Sequence, residues 1–254
     1  MQIRQHVFHA CALALLTSAP LHAKGLDEAC HARSGYDVTM TDTALQFERR
    51  NAPPQRLEMH RGDLAVNDKA VALGVSDRKR IATFETVLRE LIPKIRILAQ
   101  RGVDLGVFAI REEAASASPV SAADPRLNAR VDARAQELKT RIANSRTSKE
   151  WHARALNGYL APVLADVAPL IAGDLAQKAL ELTLKGDLSG AAALTNRAAG
   201  LRASLETRIR AKLETLQPDI EKLCPSLRRL DALETGVTQR LPDGSRLNLV
   251  EIGR

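Results

Sequence analysis

Ser76 and Lys79 have the spacing of a known catalytic pair. The run Ser76-Asp77-Arg78-Lys79 matches the S-x-x-K motif of penicillin-binding enzymes, in which a lysine one helical turn along activates a serine. A serine is also what capping selects at a helix start, and neither the S-D-N nor the K-T-G partner motif occurs in the chain. We therefore interpret Ser76 as a helix cap and expect no catalytic residue.

Three histidines follow residue 23, namely His31, His60 and His152, and they are the first candidates for metal ligands. They lie far apart in no ligand-like spacing, whereas a metal site needs several converging ligands. Glu112 and Glu113 suggest paired carboxylates, but adjacent residues of a helix point in different directions. The chain also lacks the G-x-S-x-G, P-loop and G-x-G-x-x-G motifs. We expect neither a metal nor a cofactor.

The tripeptide Arg61-Gly62-Asp63 spells an adhesive motif, but it separates two runs of alternating apolar residues. A hairpin needs a turn at such a place, and glycine and aspartate are typical turn residues. We interpret the tripeptide as a turn.

The chain is basic, with a formal net charge of +7. Positive and negative residues are interleaved, and aromatic residues make up only 3% of the chain, which argues against base stacking and against a nucleic-acid partner. The clusters Arg78-Lys79-Arg80 and Arg228-Arg229 favour an anionic membrane surface or lipopolysaccharide instead.

Residues 1–23 have the pattern of a secretory signal peptide. Arg4 supplies the positive start, residues 7–16 the apolar stretch, and Leu21-His22-Ala23 a cleavage site. The apolar stretch is about half of the ~20 residues that span a bilayer. We expect cleavage near Ala23, export to the periplasm and a mature domain over residues 24–254.

Cys30 and Cys224 are the two cysteines that follow the signal segment. Thiol pairs tend to close in an oxidising compartment, so we predict a disulfide between them, with two free thiols as the alternative. On the chain-entropy model, a loop this long contributes on the order of 4 to 5 kcal/mol to stability.

The elements that would position these residues begin with a β-meander over residues 36–73. Apolar residues alternate there in short runs, with turn signals at Asn51-Ala52-Pro53-Pro54, at residues 61–63 and at Asn67-Asp68. A sheet of this size needs a helical layer against its apolar face.

Helical spacing of the apolar residues starts at Ser76, the predicted cap, and we expect a helical region over 76–113 with a stop at Gly102. Residues 114–123, rich in alanine and serine, predict a mobile connection. A helical region over 124–240 follows. Pro162 and Pro169 should bend its most apolar helix, whose charged residues favour a buried core helix over a membrane span.

Residues 245–252 alternate weakly and predict a C-terminal strand that returns to the amino-terminal sheet. The predicted fold class is α+β and predominantly helical, with a small antiparallel N-terminal β-meander packed on long antiparallel helices. All of residues 24–254 would form one domain.

Several segments resemble the YggN-like family of bacterial periplasmic proteins of unknown function. The resemblance rests on Val66-Asn67-Asp68-Lys69-Ala70-Val71, on Leu91-Ile92-Pro93 followed by Gly102-Val103-Asp104-Leu105-Gly106, and on Cys224-Pro225, Leu230-Asp231-Ala232-Leu233-Glu234 and Leu241-Pro242-Asp243-Gly244. Residues 113–198 match least. The resemblance implies a periplasmic location and this layout, and it implies no activity.

The sequence therefore favours a non-enzymatic protein of the cell envelope that works by binding another protein or an anionic membrane surface. A carrier of a lipid or small apolar molecule is the second hypothesis, with the bent helix around Pro162 and Pro169 lining its cavity. An enzyme of unrecognised type is the third.

Overall fold

The computed structural model describes residues 26–151 and 153–253 and, except at 151 and 153–160, their side chains. The predicted signal segment 1–23 and His152 lie outside the described residues. The helices in chain order are α1 (Leu26–Cys30), α2 (Val75–Ala117), α3 (Pro119–Ala123), α4 (Pro125–Asn144), a 3-10 helix (Ser148–Trp151), α5 (Ala153–Leu184), α6 (Leu188–Glu214), α7 (Gln217–Glu221) and α8 (Cys224–Thr235). The strands are β1 (Ala32–Arg33), β2 (Asp37–Met40), β3 (Leu45–Glu48), β4 (Arg56–His60), β5 (Asp63–Val66), β6 (Lys69–Ala70) and β7 (Glu251–Ile252).

Strands β2 to β6 form an antiparallel meander in which each strand pairs with the next along the chain. The register places Phe47 opposite Leu57 and Leu45 opposite Met59, and all four side chains are at most 1% exposed. Because directly paired residues share one face of a sheet, these side chains form its apolar face. Phe84 of α2 meets Phe47 edge-on at 6.2 Å between ring centroids, so α2 covers that face.

Helix α2 contributes to two separate hydrophobic cores. It has 43 residues, which is about 65 Å at 1.5 Å per residue. Its first half packs with the sheet, α8 and the C-terminal segment, whereas its last three turns pack with α4, α5 and α6. Buried Glu113 near the end of α2 pairs with Arg208 of α6 at 2.7 Å, which fastens the second half to the helical core.

Buried carboxylates hold the segment that follows α8. Asp77 of α2 accepts hydrogen bonds from the backbone N–H groups of Thr238 and Gln239 at 3.0–3.2 Å. Beyond this point, β7 pairs antiparallel with β1, with Ile252 opposite Ala32. The C-terminal segment therefore returns to the amino-terminal part of the chain.

The predicted fold class is confirmed: a predominantly helical α+β fold with a small antiparallel sheet near the amino terminus and a returning C-terminal strand. The returning strand is shorter than the predicted 245–252, and it pairs with β1 outside the five-stranded meander. The reason is that the N–H groups of Leu249 and Val250 donate to the carboxyl oxygens of Glu234 instead of to a strand. Asp124 caps α4 ahead of Pro125, and its side chain accepts from the backbone N–H of Arg126.

The predicted cap and the predicted stop of the first helix are wrong. Helix α2 begins at Val75 with Gly74 as its N-cap, and Ser76 makes no cap hydrogen bond. The helix also continues through Gly102, where the side chain of Leu213 on α6 would lie 3.4 Å from an added Cβ atom. The packing of the residues beyond Gly102 outweighs the cost of about 1 kcal/mol that glycine adds inside a helix.

Most of the segment 114–123 is helical, because α2 extends to Ala117 and α3 follows at Pro119. Ser118 between them caps α3 by accepting from Val120 N, and buried Ser121 donates to Asp174 of α5 at 2.7 Å. The mobility of this segment stays a prediction. Within the described residues, no helix is both long enough and apolar enough to cross a membrane.

Candidate functional site

The candidate catalytic serine is paired with an arginine. The Ser76 hydroxyl accepts a hydrogen bond from the Arg80 guanidinium at 2.8 Å, and the same guanidinium reaches Asp77 at 3.0 Å. Lys79 is exposed, and no hydrogen bond or ion pair joins it to Ser76. An arginine stays protonated, so it cannot take the proton that a nucleophilic serine must lose. The side chain that contacts the Ser76 hydroxyl in the described part of the chain is therefore not a general base.

Glu112 and Glu113 have separate partners on α6. Glu112 pairs with Lys212 at 2.9 Å, and Glu113 pairs with Arg208. Each carboxylate thus serves a helix-to-helix contact, as expected for adjacent residues that point in different directions.

His31 and His60 occupy different places. His31 follows α1 and lines a polar cavity of about 330 Å³ beside the β1–β7 pair, whereas His60 ends β4 and is exposed. The other residues that line the cavity are Asp27, Arg33, Glu251, Ile252 and Gly253. In the part of the chain that the structure describes, no three His, Cys, Asp or Glu residues are grouped so that they could hold a metal ion.

The Arg61-Gly62-Asp63 tripeptide joins β4 to β5 as a turn. Arg61 and Gly62 have positive φ angles of 51° and 89°, and their N–H groups donate to the buried carboxylate of Glu85 on α2 at 3.0 and 2.9 Å. The turn lies on α2 so closely that a Cβ atom on Gly62 would be 2.8 Å from the carbonyl oxygen of Arg78. The backbone of the tripeptide is therefore bound to α2.

The two basic clusters are exposed except at Arg80, which is half-buried. Arg78 lies 3.6 Å from Asp63, Arg80 is engaged by Asp77, and Arg228 and Arg229 lie on the solvent side of α8.

Cys30 and Cys224 form a disulfide, with their Cα atoms 5.2 Å apart. Cys30 is the last residue of α1, and Cys224 is the first residue of α8. Both are at most 8% exposed, so the bond is a covalent link inside the first core.

One side of α5 is a packed core. Leu164, Val167, Ile171 and Leu175 are at most 2% exposed and pack against α2, α4 and α6. Pro162 and Pro169 lie on the exposed side of the same helix. The two prolines therefore face away from the helical core.

The opposite side of α5 is apolar and exposed. Leu180 and Leu184 are 60% and 80% exposed, and Leu188, which starts α6, is 67% exposed. Exposed residues at intervals of three and four positions continue this surface toward the start of the helix. We call the following six residues the outer face of α5: Ala165, Pro169, Gly173, Ala176, Leu180 and Leu184.

No charged residue belongs to the outer face. The only charged residues of α5 after Ala161 are Asp166, Asp174, Lys178 and Glu181. Asp166 pairs with Arg134 of α4 at 2.7 Å, and Asp174 accepts from Ser121. A helix face without charged residues is normally covered by a neighbouring element, and no residue of the core cluster that includes α5 belongs to the outer face. The outer face, with Leu188, exposes three large leucine side chains, and the sequence prediction of a buried core helix did not include it.

The family comparison covers nearly the whole described chain. Residues 30–250 match the model of the family described as a protein of unknown function, DUF2884. The comparisons with curated proteins and with solved structures find no match. The matched region contains both cysteines of the disulfide, the meander and all of α2 to α8. The chain therefore belongs to the DUF2884 family of proteins of unknown function.

Proposed function

We propose that this protein is an exported, non-enzymatic binding protein of the bacterial cell envelope, and that it holds a helical protein partner against the outer face of α5. The observation that carries the proposal is the exposure of Leu180, Leu184 and Leu188 by 60–80% on one hairpin. A contiguous exposed apolar surface marks interaction sites more often than exposed leucines that occur singly.

The shape of the outer face favours a helix as the partner. Gly173 and Ala176 lie at its centre and carry the smallest side chains, so a second backbone can approach α5 closely there. The leucines at one end supply the large side chains that such a partner would bury. Helix-in-groove and helix-on-helix contacts use anchors at this spacing of three and four residues.

Two features support the location. The first 23 residues have the pattern of a cleaved signal peptide, and a disulfide persists in oxidising compartments such as the periplasm. Cell fractionation tests the location directly: the processed chain, beginning near Lys24, should be released with the periplasmic contents. Recovery of the unprocessed chain from the cytoplasm would contradict it.

A lipid carrier is the second hypothesis, and the close packing of the buried side of α5 argues against it. A carrier needs an apolar cavity, whereas Leu164, Val167, Ile171 and Leu175 are already covered by neighbouring helices. Native mass spectrometry of the gently extracted protein separates the two hypotheses, because a lipid that co-purifies in one-to-one ratio would favour the carrier.

Photo-crosslinking in living cells tests the binding proposal. A photoreactive amino acid at Leu184 should give one discrete adduct, because this side chain would be buried by the partner. The matched control is the same amino acid at exposed Glu90 on α2, which should give none. Absence of an adduct at both Leu184 and Leu180, or equal adducts at Glu90, would contradict the proposal.

A further inference from the structure

The polar cavity beside the β1–β7 pair is lined by ionisable side chains of both signs. Asp27 and Glu251 carry carboxylates, Arg33 carries a guanidinium, and His31 carries an imidazole. Arg33 and Glu251 are directly opposite each other on the two strands, so their side chains lie on the same face of the pair. Asp27 comes from α1. The cavity therefore brings together charged groups from both ends of the described chain.

The charged groups of the cavity are not used up by contacts inside the protein. Within the described residues, the side chains of Asp27, His31 and Arg33 make no hydrogen bond and no ion pair. Exposed charges of opposite sign do pair elsewhere beside a sheet edge, as Lys149 does with Glu48 at 2.7 Å. The donors and acceptors that line the cavity therefore remain available to a ligand.

We propose that this cavity binds a small zwitterion, namely a free amino acid or a short peptide. The carboxylate of the ligand faces Arg33, whose planar guanidinium presents paired donors that match a carboxylate. The ammonium group of the ligand faces the carboxylates of Asp27 and Glu251. Oε1 of Glu251 accepts from the Asn248 side chain at 2.8 Å, which leaves its second oxygen for the ammonium group.

The size and the rigidity of the cavity suit a ligand of this class. Its volume of about 330 Å³ is at the lower end of the range for ligand pockets, which favours a molecule as small as an amino acid or a dipeptide. Cys30, which lies between Asp27 and His31 in the chain, is fixed by its disulfide bond. The N–H group of Gly253 donates to the carbonyl oxygen of His31 at 2.7 Å and holds the two strands together. Walls that are fixed before the ligand arrives reduce the entropy lost on binding.

Ions of a single charge fit the cavity less well. An anion at Arg33 would be repelled by the two carboxylates, and a cation at the carboxylates would be repelled by the guanidinium. In the described part of the chain, no three His, Cys, Asp or Glu residues are grouped to hold a metal ion. A ligand that carries both charges meets an opposite charge on each wall.

The cavity is separate from the surface that carries the proposed function. It adjoins the first core, to which Cys30, Ala32 and Ile252 belong, whereas the outer face of α5 lies on the helical core. Binding of a zwitterion therefore neither requires nor excludes a helical partner on the outer face.

NMR titration of the isotope-labelled processed chain tests the inference. Dialanine should shift the backbone amide signals of His31, Arg33 and Glu251 in a saturable way, with a dissociation constant on the order of 0.1 to 1 mM. Acetate and methylamine should bind about tenfold more weakly or less, because each carries only one of the two charges. Alanine in a parallel titration distinguishes a free amino acid from a peptide as the better ligand. Absence of saturable shifts with both dialanine and alanine, or equal binding of acetate, would overturn the inference.

Two pairs of variants locate the site. Arg33→Gln and Glu251→Gln should each weaken dialanine binding about tenfold, because each removes one charge of the cavity. Arg33→Gln should leave the thermal unfolding of the free protein unchanged, since the side chain has no polar partner among the described residues. The matched controls are Arg246→Gln and Glu28→Gln, at exposed positions of the C-terminal segment and of α1 outside the cavity, which should bind like the parent. Undiminished binding in Arg33→Gln, or an equal loss in the controls, would contradict the assignment.

Discussion

Cys30 and Cys224 are joined by a disulfide although 194 positions separate them in the sequence. The bond connects the end of α1 to the start of α8, and β1, which begins two residues after Cys30, pairs with β7 near the carboxyl end. The two ends of the described chain are thus fastened to the same core, once covalently and once by strand pairing.

Replacing both cysteines by alanine should lower the free energy of unfolding by about 5 kcal/mol, because the unfolded chain regains the entropy of an open loop. Urea unfolding of the parent and of the Cys30→Ala/Cys224→Ala variant measures the difference. The two single variants should lose as much as the double variant, since either one breaks the bond. If the losses of the two single variants instead sum to the loss of the double variant, the parent protein contains two free thiols.

Glu85→Ala should destabilise the protein by about 2 to 4 kcal/mol. The substitution leaves the N–H groups of Arg61 and Gly62 without their acceptor under α2, and each buried unsatisfied group costs about 1–3 kcal/mol. Thermal unfolding measures the loss. Glu90→Ala on the exposed side of the same helix is the control, and it should change stability by less than about 0.5 kcal/mol.

Gly62 and Gly102 should respond to alanine in opposite ways. Gly62 has a φ of +89°, and an added Cβ atom would lie 2.8 Å from the Arg78 carbonyl oxygen, so Gly62→Ala should destabilise by more than about 1 kcal/mol. Gly102 lies inside α2 with ordinary contact distances around its added Cβ atom, so Gly102→Ala should stabilise by about 0.5–1 kcal/mol. Denaturant unfolding measures both changes, as shifts of the midpoint at an unchanged dependence of the unfolding free energy on denaturant concentration. A Gly62→Ala variant that is more stable than the parent would contradict the close approach of this turn to α2.

The sequence predicts the meander well because the residues that determine each strand and turn are close to one another in the chain. Strand neighbours are also neighbours in the chain, so the alternation of Leu45 and Phe47 and the turn at Gly62 suffice to place them. The extent of α2 depends instead on distant residues. Gly102 is a stop signal by composition, and only the contact with Leu213 on α6 keeps the helix continuous.

The buried carboxylates could not be predicted for the same reason. Asp77 looks like an ordinary first-turn acid of a helix, yet its carboxylate accepts hydrogen bonds from Thr238, 161 positions away.

The outer face of α5 is visible in the sequence pattern. Apolar residues occur on all sides of that helix, and the prediction treated this pattern as burial on all sides when it reflects burial on one and exposure on the other.

Ser76 should not react with penicillins, because its hydroxyl is paired with Arg80, which stays protonated and cannot act as a base. A fluorescent penicillin should leave the purified protein unlabelled, with an authentic penicillin-binding enzyme as the positive control. Covalent labelling that disappears in Ser76→Ala would refute this prediction.

Glu234 should make stability fall as the pH rises. Burial raises the pKa of this carboxyl to about 8, against the opposing effect of the N–H groups of Leu249 and Val250. The unfolded chain ionises near its ordinary value of 4.5, whereas the folded chain keeps the proton until about pH 8. The contribution of Glu234 to the free energy of unfolding is therefore largest below about pH 4.5. It is lost progressively between pH 4.5 and 8, by an amount on the order of a few kcal/mol.

Glu234→Gln removes the titrating group and keeps an oxygen that can accept from the same backbone N–H groups. The variant should gain stability relative to the parent as the pH rises from 5 to 8, because only the parent must retain a buried proton or bury a charge. Urea unfolding at several pH values measures the difference. Glu214→Gln, at an exposed position near the end of α6, should follow the parent at every pH. If the Glu234→Gln and parent curves stay parallel across this range, Glu234 ionises in the folded protein as it does in the unfolded chain.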